Sequence, residues 1–197
     1  MLIEEDCVAG RLHHVDVLYV TQPHLTDSAA AGIATWVAAG GQVFATAGAG
    51  LLNEANATNA AMAKLLGVTQ TAVFAGTQDE FNNTVRLIKQ DINFVEALDN
   101  VSISTSSRLR PLEFGDPASA LVAKGVKSIF TAAAGSKVLA TFSDGKPAMI
   151  KTAAGSGSAF YAGFMPGLAY FSTAIPLRPV DRSSVDEGMN RNMVMLS

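Results

Sequence analysis

The stretch Val-Asp-Val-Leu-Tyr-Val at residues 15–20 and the stretch Gln-Val-Phe-Ala-Thr at residues 42–46 decide the fold. Both are short apolar runs rich in β-branched or aromatic residues, which are typical of buried strands. Between them, after a capping residue at Thr26 or Asp27, four apolar residues recur at helical spacing: Ala30, Ile33, Ala34 and Val37. Because strand, helix and strand follow one another with short connections, the pattern predicts a right-handed crossover within a parallel sheet.

A second helix and a series of strands follow this crossover. Residues Thr58–Leu66 form the second predicted helix, which ends at Gly67. Later apolar runs predict short strands at Ser128–Ala132, Lys137–Phe142, Ala148–Lys151 and Ala159–Ala162. Asp-Gly between two of these runs predicts a tight turn at Ser143–Lys146, with Gly145 at positive φ. We therefore expect an α/β, flavodoxin-like three-layer sandwich, in which a mostly parallel sheet is extended by a C-terminal antiparallel meander.

The middle of the chain has a different character. Asp79–Leu98 is the most charged helix candidate and carries a narrow apolar stripe of coiled-coil type: Phe81, Val85, Ile88, Ile92 and Val95. Docking of this stripe on the sheet is the preferred interpretation, and a helix–helix contact with another subunit is the alternative. Val101–Thr105 is predicted as a strand, Arg108–Pro117 as a loop, and residues 176–197 as a surface strap or a linker.

The composition limits the classes of function. The chain has 197 residues, 49% hydrophobic and 16% charged, so one domain with a sizeable core is expected and disorder of the whole chain is excluded. A net charge of −3, without a long basic run, argues against binding to nucleic acid or to an anionic membrane. Two uncharged stretches, Ser28–Asn53 and Thr152–Leu177, contain too much Gly, Ala, Ser or Pro for membrane spans and fit buried elements.

The turn after the strand at residues 42–46 is the place where ligands bind in open parallel sheets. A strand that turns sharply into a helix presents one side chain at its tip, beside backbone N–H groups that can form an oxyanion hole. Here the tip residues are Ala47 and Gly48, which offer no nucleophile. The candidate lining of this cleft is Thr21, Gln22, Thr46, Ala47, Gly48, Asn53, Glu54 and Met165. For Asn53 and Glu54, capping or solvated-loop roles are the preferred interpretation.

Two segments resemble parts of class I glutamine amidotransferases. Residues 40–52, Gly-Gly-Gln-Val-Phe-Ala-Thr-Ala-Gly-Ala-Gly-Leu-Leu, resemble the nucleophile elbow of that family, and residues 162–167, Ala-Gly-Phe-Met-Pro-Gly, resemble its Phe-His-Pro-Glu segment. On this register Ala47 stands where the family has its catalytic Cys, Met165 where it has the His, and Gly167 where it has the Glu. The resemblance implies that the triad is lost, so no catalytic residue is predicted and the chain is expected not to be an enzyme.

Other patterns are more similar to non-catalytic members of that superfamily, such as the trimerisation domain of family 42 β-galactosidases. They include Asp-Val-Leu-Tyr-Val, Trp-Val-Ala-Ala-Gly-Gly-Gln-Val and Leu-Leu-Gly-Val. In those enzymes a separate barrel domain hydrolyses the sugar. The resemblance implies one amidotransferase-like domain at residues 1–175, with an insertion at about 76–125 and a tail at 176–197. It also implies that the first β–α unit is missing or supplied elsewhere, which predicts an exposed sheet edge.

Smaller motifs give weaker indications of chemistry. Cys7 could form a Cys–His dyad with His13 or His14, but its acidic neighbours would raise the pKa of the thiol, so a buried or idle thiol is preferred. The histidines lack the i,i+4 spacing of a helical metal pair, and no metal site is predicted. Gly-Ser-Gly at residues 155–157 lacks the lysine of a phosphate loop, so a hairpin turn is expected there.

These observations predict a non-catalytic structural or assembly module of a larger, carbohydrate-related bacterial protein. One alternative is a domain that binds a small polar ligand, such as a sugar, in the vacated strand-end cleft. Another is a hydrolase with a non-standard site. No cofactor is expected, and the expected partners are a second copy of the chain or neighbouring domains of a parent protein, with no nucleic acid and no membrane span. The sequence leaves the compartment open.

Overall fold

A seven-stranded mixed sheet organises the fold, which we describe from a computed structural model over residues 3–75, 97–103 and 121–171. The helices are α1 (Glu4–Val8), α2 (Asp27–Ala38), α3 (Ala60–Leu66) and α4 (Pro166–Phe171). The strands are β1 (Val17–Val20), β2 (Gln42–Ala45), β3 (Val68–Ala75), β4 (Ala97–Ile103), β5 (Leu121–Lys124), β6 (Val126–Ala132), β7 (Lys137–Phe142), β8 (Pro147–Ala154) and β9 (Gly157–Ala162).

The order of strands in the large sheet is β1-β2-β9-β8-β7-β4-β5. β1, β2 and β9 are parallel, and β9 continues into an antiparallel series that ends at β5. The α/β class and the flavodoxin-like sandwich with an antiparallel extension are confirmed. The parallel part is smaller than predicted: two of the six described pairings are parallel, because β4 and β5 also join the antiparallel side.

The predicted crossover is confirmed, and its helix has the predicted cap. The Thr26 hydroxyl oxygen accepts a hydrogen bond from the Ala29 N–H at 3.3 Å, and α2 buries Ile33 and Val37 against the sheet. α3 begins two residues later than predicted because Asn59 caps it by accepting from the Met62 N–H at 3.1 Å. It ends, as predicted, at Gly67, whose φ is +70°.

Helices α1, α2 and α3 share one apolar cluster with the parallel strands. Sheet residues such as Val43, Ala159 and Tyr161 are fully buried in it. A second cluster lies on the antiparallel side, around Phe142 and Phe164. The core that positions the end of β2 is therefore made by the crossover and by β9.

One of the predicted C-terminal strands does not join the large sheet. The run at residues 128–132 is a strand, β6, but it does not continue the meander with β7. It pairs antiparallel with β3 in a separate two-stranded sheet. An ion pair between Lys127 of β6 and Asp99 of β4 links this small sheet to the large one, and the Lys127 ammonium also lies 4.4 Å from the centre of the Phe142 ring.

The hairpin at Ser143–Lys146 is confirmed, and it supports a stability prediction. The Gly145 N–H donates to the Phe142 carbonyl at 3.0 Å, and the φ of Gly145 is +78°.

No atom lies within 4 Å of the position that a Cβ would take at Gly145. Gly145→Val should therefore lower the free energy of unfolding through backbone strain alone, by about 1 kcal/mol. Gly145→Asn is the matched control, because asparagine tolerates positive φ. Equal urea midpoints for the valine variant and the parent would contradict the strain argument.

Some predictions lie outside the described residues. They are the predicted helix at Asp79–Leu98, the predicted loop at Arg108–Pro117 and the predicted tail at 176–197. Of the predicted helix only Ala97 and Leu98 are described, and they belong to β4. The strand predicted at Val101–Thr105 corresponds to β4, which begins at Ala97 and is described as far as Ile103.

Candidate functional site

The chain turns tightly after β2, at residues 46–49, and we call this turn the elbow. It leads into a loop and not directly into a helix, because α3 begins only at Ala60. The Thr46 N–H still donates to the Val20 carbonyl of β1 at 3.3 Å, and the chain then folds back so that the Ala49 N–H donates to the Thr46 carbonyl at 2.8 Å. Gly48 has a φ of +75°, a conformation that glycine adopts readily. Ala47 and Gly48 are only partly buried, so the tip of the elbow is reachable but carries no nucleophilic side chain.

The backbone donors of the elbow are already used by the protein itself. The Ala47 N–H donates to the Phe164 carbonyl at 3.4 Å, and the Gly48 N–H donates to the Tyr161 hydroxyl oxygen at 3.0 Å. The Gly50 N–H donates to the Gln22 carbonyl at 2.8 Å. An oxyanion hole needs donors that are free to meet the oxygen of a tetrahedral intermediate. The two N–H groups at the tip, those of Ala47 and Gly48, do not meet this requirement.

Tyr161 is the residue that closes the elbow from inside. Its hydroxyl donates to the Ser128 Oγ at 2.9 Å, and the Ser128 hydroxyl donates to the Gln70 Oε1 at 3.3 Å. Tyr161 and Ser128 are both fully buried. Burial raises the pKa of the Tyr161 phenol above its ordinary value, although the hydrogen bonds with Ser128 and Gly48 oppose this. The phenol is therefore neutral at physiological pH and acts as a structural bridge.

The segment that carries Met165 lies beside the elbow. The hydrogen bond from Ala47 to the carbonyl of Phe164 brings the two backbones together. Met165 is partly buried. Gly167 is exposed, and no atom lies within 4 Å of the position that a Cβ would take there.

The polar residues predicted to line the cleft mostly stabilise neighbouring turns. Glu54 accepts the Asp27 N–H at 3.0 Å, in the first turn of α2, and the Asn53 amide donates to the Asp27 carboxylate at 3.1 Å. The Asn53 side-chain oxygen also accepts from two backbone N–H groups, those of Ala55 and Ala57, at 3.1 and 2.9 Å. The capping interpretation of both residues therefore fits the structure. The side chains of Thr21 and Gln22 are exposed, and Thr46 is partly buried.

The region around Cys7 does not favour a thiolate. Cys7 is 5% exposed, and burial, followed by the charges of Asp6 and Glu4, raises the pKa of its thiol. His13 and His14 are exposed and lie edge to face with each other, their ring centres 5.3 Å apart. Within residues 3–75, 97–103 and 121–171, no group of three or more His, Cys, Asp or Glu side chains could hold a metal ion.

Sequence reasoning missed Tyr161 and Ser128. Both lie in runs that were predicted as strands, where a hydroxyl looks like an ordinary strand residue. The available signal was that Tyr161 is a polar-tipped aromatic residue within the run at 159–162, and a buried tyrosine hydroxyl generally finds a partner. Nothing in the sequence indicated that this partner is the elbow.

No protein-family model and no curated protein matches the chain. Among solved structures, Gan42B, a GH42 β-galactosidase from G. stearothermophilus, superposes with a TM-score of 0.58 at 14% identity, over 90% of this chain and 23% of that one. A β-galactosidase from Bacillus circulans sp. alkalophilus gives a TM-score of 0.54 at 14% identity, over 79% of this chain and 21% of that one.

A shorter protein shows a similar likeness. The cytoplasmic protein STM1381 from Salmonella typhimurium LT2 gives a TM-score of 0.54 at 15% identity, over 95% of this chain and 74% of that one. The chain spans only about a fifth of the length of the β-galactosidases that it matches. In the part of the chain that the structure describes, no helix has the length and apolar character needed to cross a membrane. The chain thus has the fold of a domain that also occurs within GH42 β-galactosidases.

Proposed function

We propose that this chain is a non-catalytic structural and assembly domain of a larger, carbohydrate-related protein. The observation that carries the proposal is the closed elbow: Ala47 offers no nucleophile, and the N–H groups of Ala47 and Gly48 donate to Phe164 and Tyr161. The amidotransferase-like register, with Met165 and Gly167 at the other triad positions, supports it. The carbohydrate context of the parent protein rests on the β-galactosidases that share the fold.

The two alternatives fit the elbow less well. A hydrolase needs an activated nucleophile and free donors for the developing charge. The buried thiol of Cys7, with its raised pKa, does not supply the first, and the elbow does not supply the second. A sugar site at the strand ends needs convergent polar side chains, but Asn53 and Glu54 hold the first turn of α2.

We expect that the purified chain releases no ammonia from glutamine. Turnover should be indistinguishable from that of heat-denatured protein, because no thioester can form without a nucleophile. The assay should include Tyr161→Phe, which frees the Gly48 N–H without supplying a nucleophile and should also be inactive.

Cys7→Ser is the matched control for this assay. Ammonia release by the parent chain would contradict the proposal. If that release were lost in Cys7→Ser, the thiol would be identified as the nucleophile despite its burial.

A further inference from the structure

β1 is an edge strand of the large sheet. Among the described strands it pairs only with β2, whereas α4 packs beside β5 at the other end of the sheet. We propose that β1 pairs antiparallel with β1 of a second copy of this chain, across a twofold axis at Leu18. This inference rests on the proposed assembly function and names the surface and the partner.

The hydrogen bonds of β1 show which backbone groups face outward. The Val20 carbonyl accepts from the Thr46 N–H, so Val20 points its backbone groups towards β2. Residues alternate in direction along a strand, so Leu18 also faces β2, while Val17 and Tyr19 turn their N–H and C=O groups to the outer edge. These two residues therefore present a short row of donors and acceptors for another strand.

The side chains of Val17 and Tyr19 are also exposed, by 40% and 67% respectively. Tyr19 begins a row of aromatic rings across the parallel strands, with ring centres 5.6 Å apart from Tyr19 to Phe44 and 6.3 Å apart from Phe44 to Phe160. Natural edge strands are usually blunted by charged residues, proline, a bulge or a very short length. β1 is short, at four residues, but its sequence Val-Leu-Tyr-Val contains no charge and no proline, and its pairing with β2 has no register shift.

The edge is complementary to itself in one register. If Leu18 lies on the twofold axis, Val17 lies opposite the partner's Tyr19, and Tyr19 lies opposite the partner's Val17. Both pairs then join outward-facing backbone groups, which gives about four hydrogen bonds between the chains. Opposite residues share a face, so Tyr19 contacts the partner's Val17 and the aromatic row continues into the second sheet. The contact is isologous and closes at two copies, which commits the edge to a dimer.

The first test is the mass of the full chain in solution at micromolar concentration. We expect about 41 kDa, twice the 20.5 kDa of one chain. Tyr19→Pro removes an outward N–H without touching the ladder to β2, and should give a monomer. Tyr19→Thr keeps that N–H and loses the ring, so it should still dimerise, with affinity reduced about tenfold or less. Val138→Thr, at an exposed apolar residue of β7, is the matched control and should leave the mass unchanged.

The second test reads the register and uses exposed positions, so it does not depend on the proline variant folding. In a Cys7→Ser background, chains with Val17→Cys are mixed with chains with Tyr19→Cys and oxidised. Opposite residues of a hydrogen-bonded pair have Cα atoms about 5.5 Å apart, which a disulfide can span. The mixture should cross-link, and each variant alone should not.

A monomeric parent chain would overturn this inference, as would a folded Tyr19→Pro variant that remains a dimer. Cross-linking of Tyr19→Cys with itself, in place of the mixed pair, would overturn the register. None of these results would be evidence for catalytic activity, which the ammonia assay measures independently. A failure of the β1 interface is thus distinguishable from a failure of the non-catalytic assignment.

Discussion

Gly157→Ala adds a single methyl group and should nevertheless destabilise the protein strongly. A Cβ at Gly157 would lie 2.1 Å from the Val37 carbonyl oxygen and 2.2 Å from the Gly41 carbonyl oxygen. Both obstacles are backbone atoms, so neither can move aside by changing a rotamer. We expect a loss of about 3 kcal/mol in the free energy of unfolding, at the upper end of what overpacking costs.

The reason lies in how closely the end of α2 approaches the turn between β8 and β9. The Ser156 N–H donates to the Ala38 carbonyl at 3.0 Å, and the Ser158 N–H donates to the Gly41 carbonyl at 3.3 Å. The first bond satisfies the carbonyl of the last residue of α2, and the second joins the start of β9 to the residue that precedes β2. Displacing β9 would also disturb Tyr161, and through it the elbow.

Gly167→Ala is the matched control, because it adds the same methyl group where no atom lies within 4 Å. Its stability should stay within about 0.5 kcal/mol of the parent. Urea unfolding followed by circular dichroism compares the two variants directly. If both substitutions destabilised the protein equally, the loss would come from replacing glycine by alanine in general, and not from the clash of the new methyl group with the end of α2.

The elements of this fold were largely predictable from the sequence, but several of their partners were not. α2 has a cap, a stripe and a stop within about 15 residues, so local signals suffice. The turn at Gly145 is equally local. The pairing of β6 with β3, in contrast, depends on residues far apart in the chain. An apolar run predicts a strand but does not indicate which other strand it will pair with.

The same limit explains the candidate site. The positions of Ala47 and Met165 followed from a resemblance between short segments, and the structure brings their backbones together through Phe164. The closure of the elbow depends instead on Tyr161 and Ser128, which are 33 residues apart and meet only when β6 and β9 are in place. The tight turn after β2 can therefore be recognised from the sequence, whereas the side chains that close it are identified only in the assembled fold.

Asp99→Asn should produce the second large effect, at the junction between the two sheets. The side chains of Asp99 and Lys127 are 8% and 14% exposed, and they form an ion pair. The Asp99 carboxylate also accepts the Asn100 N–H at 2.7 Å and the Ser143 N–H at 3.3 Å. Replacing the carboxylate leaves the Lys127 ammonium in a largely buried place without its counter-charge. We expect a loss of about 2 kcal/mol at neutral pH, somewhat less than for a fully buried pair because the lysine keeps some exposure.

The pH dependence of the loss distinguishes the ion pair from simple packing. Burial alone would raise the pKa of Asp99, but the hydrogen bonds with Lys127, Ser143 and Asn100 outweigh it and hold the pKa below its ordinary value. A depressed pKa in the folded state stabilises the protein above the unfolded-state value of about 3.9, and this contribution disappears as the pH falls through the folded-state pKa. The parent chain should therefore lose its advantage over Asp99→Asn below about pH 4.

Asp144→Asn, at an exposed carboxylate paired with Lys146, is the control and should change the stability at neutral pH little. A difference between parent and Asp99→Asn that stays constant from pH 7 to pH 3 would show that the charge of Asp99 is not what joins the sheets.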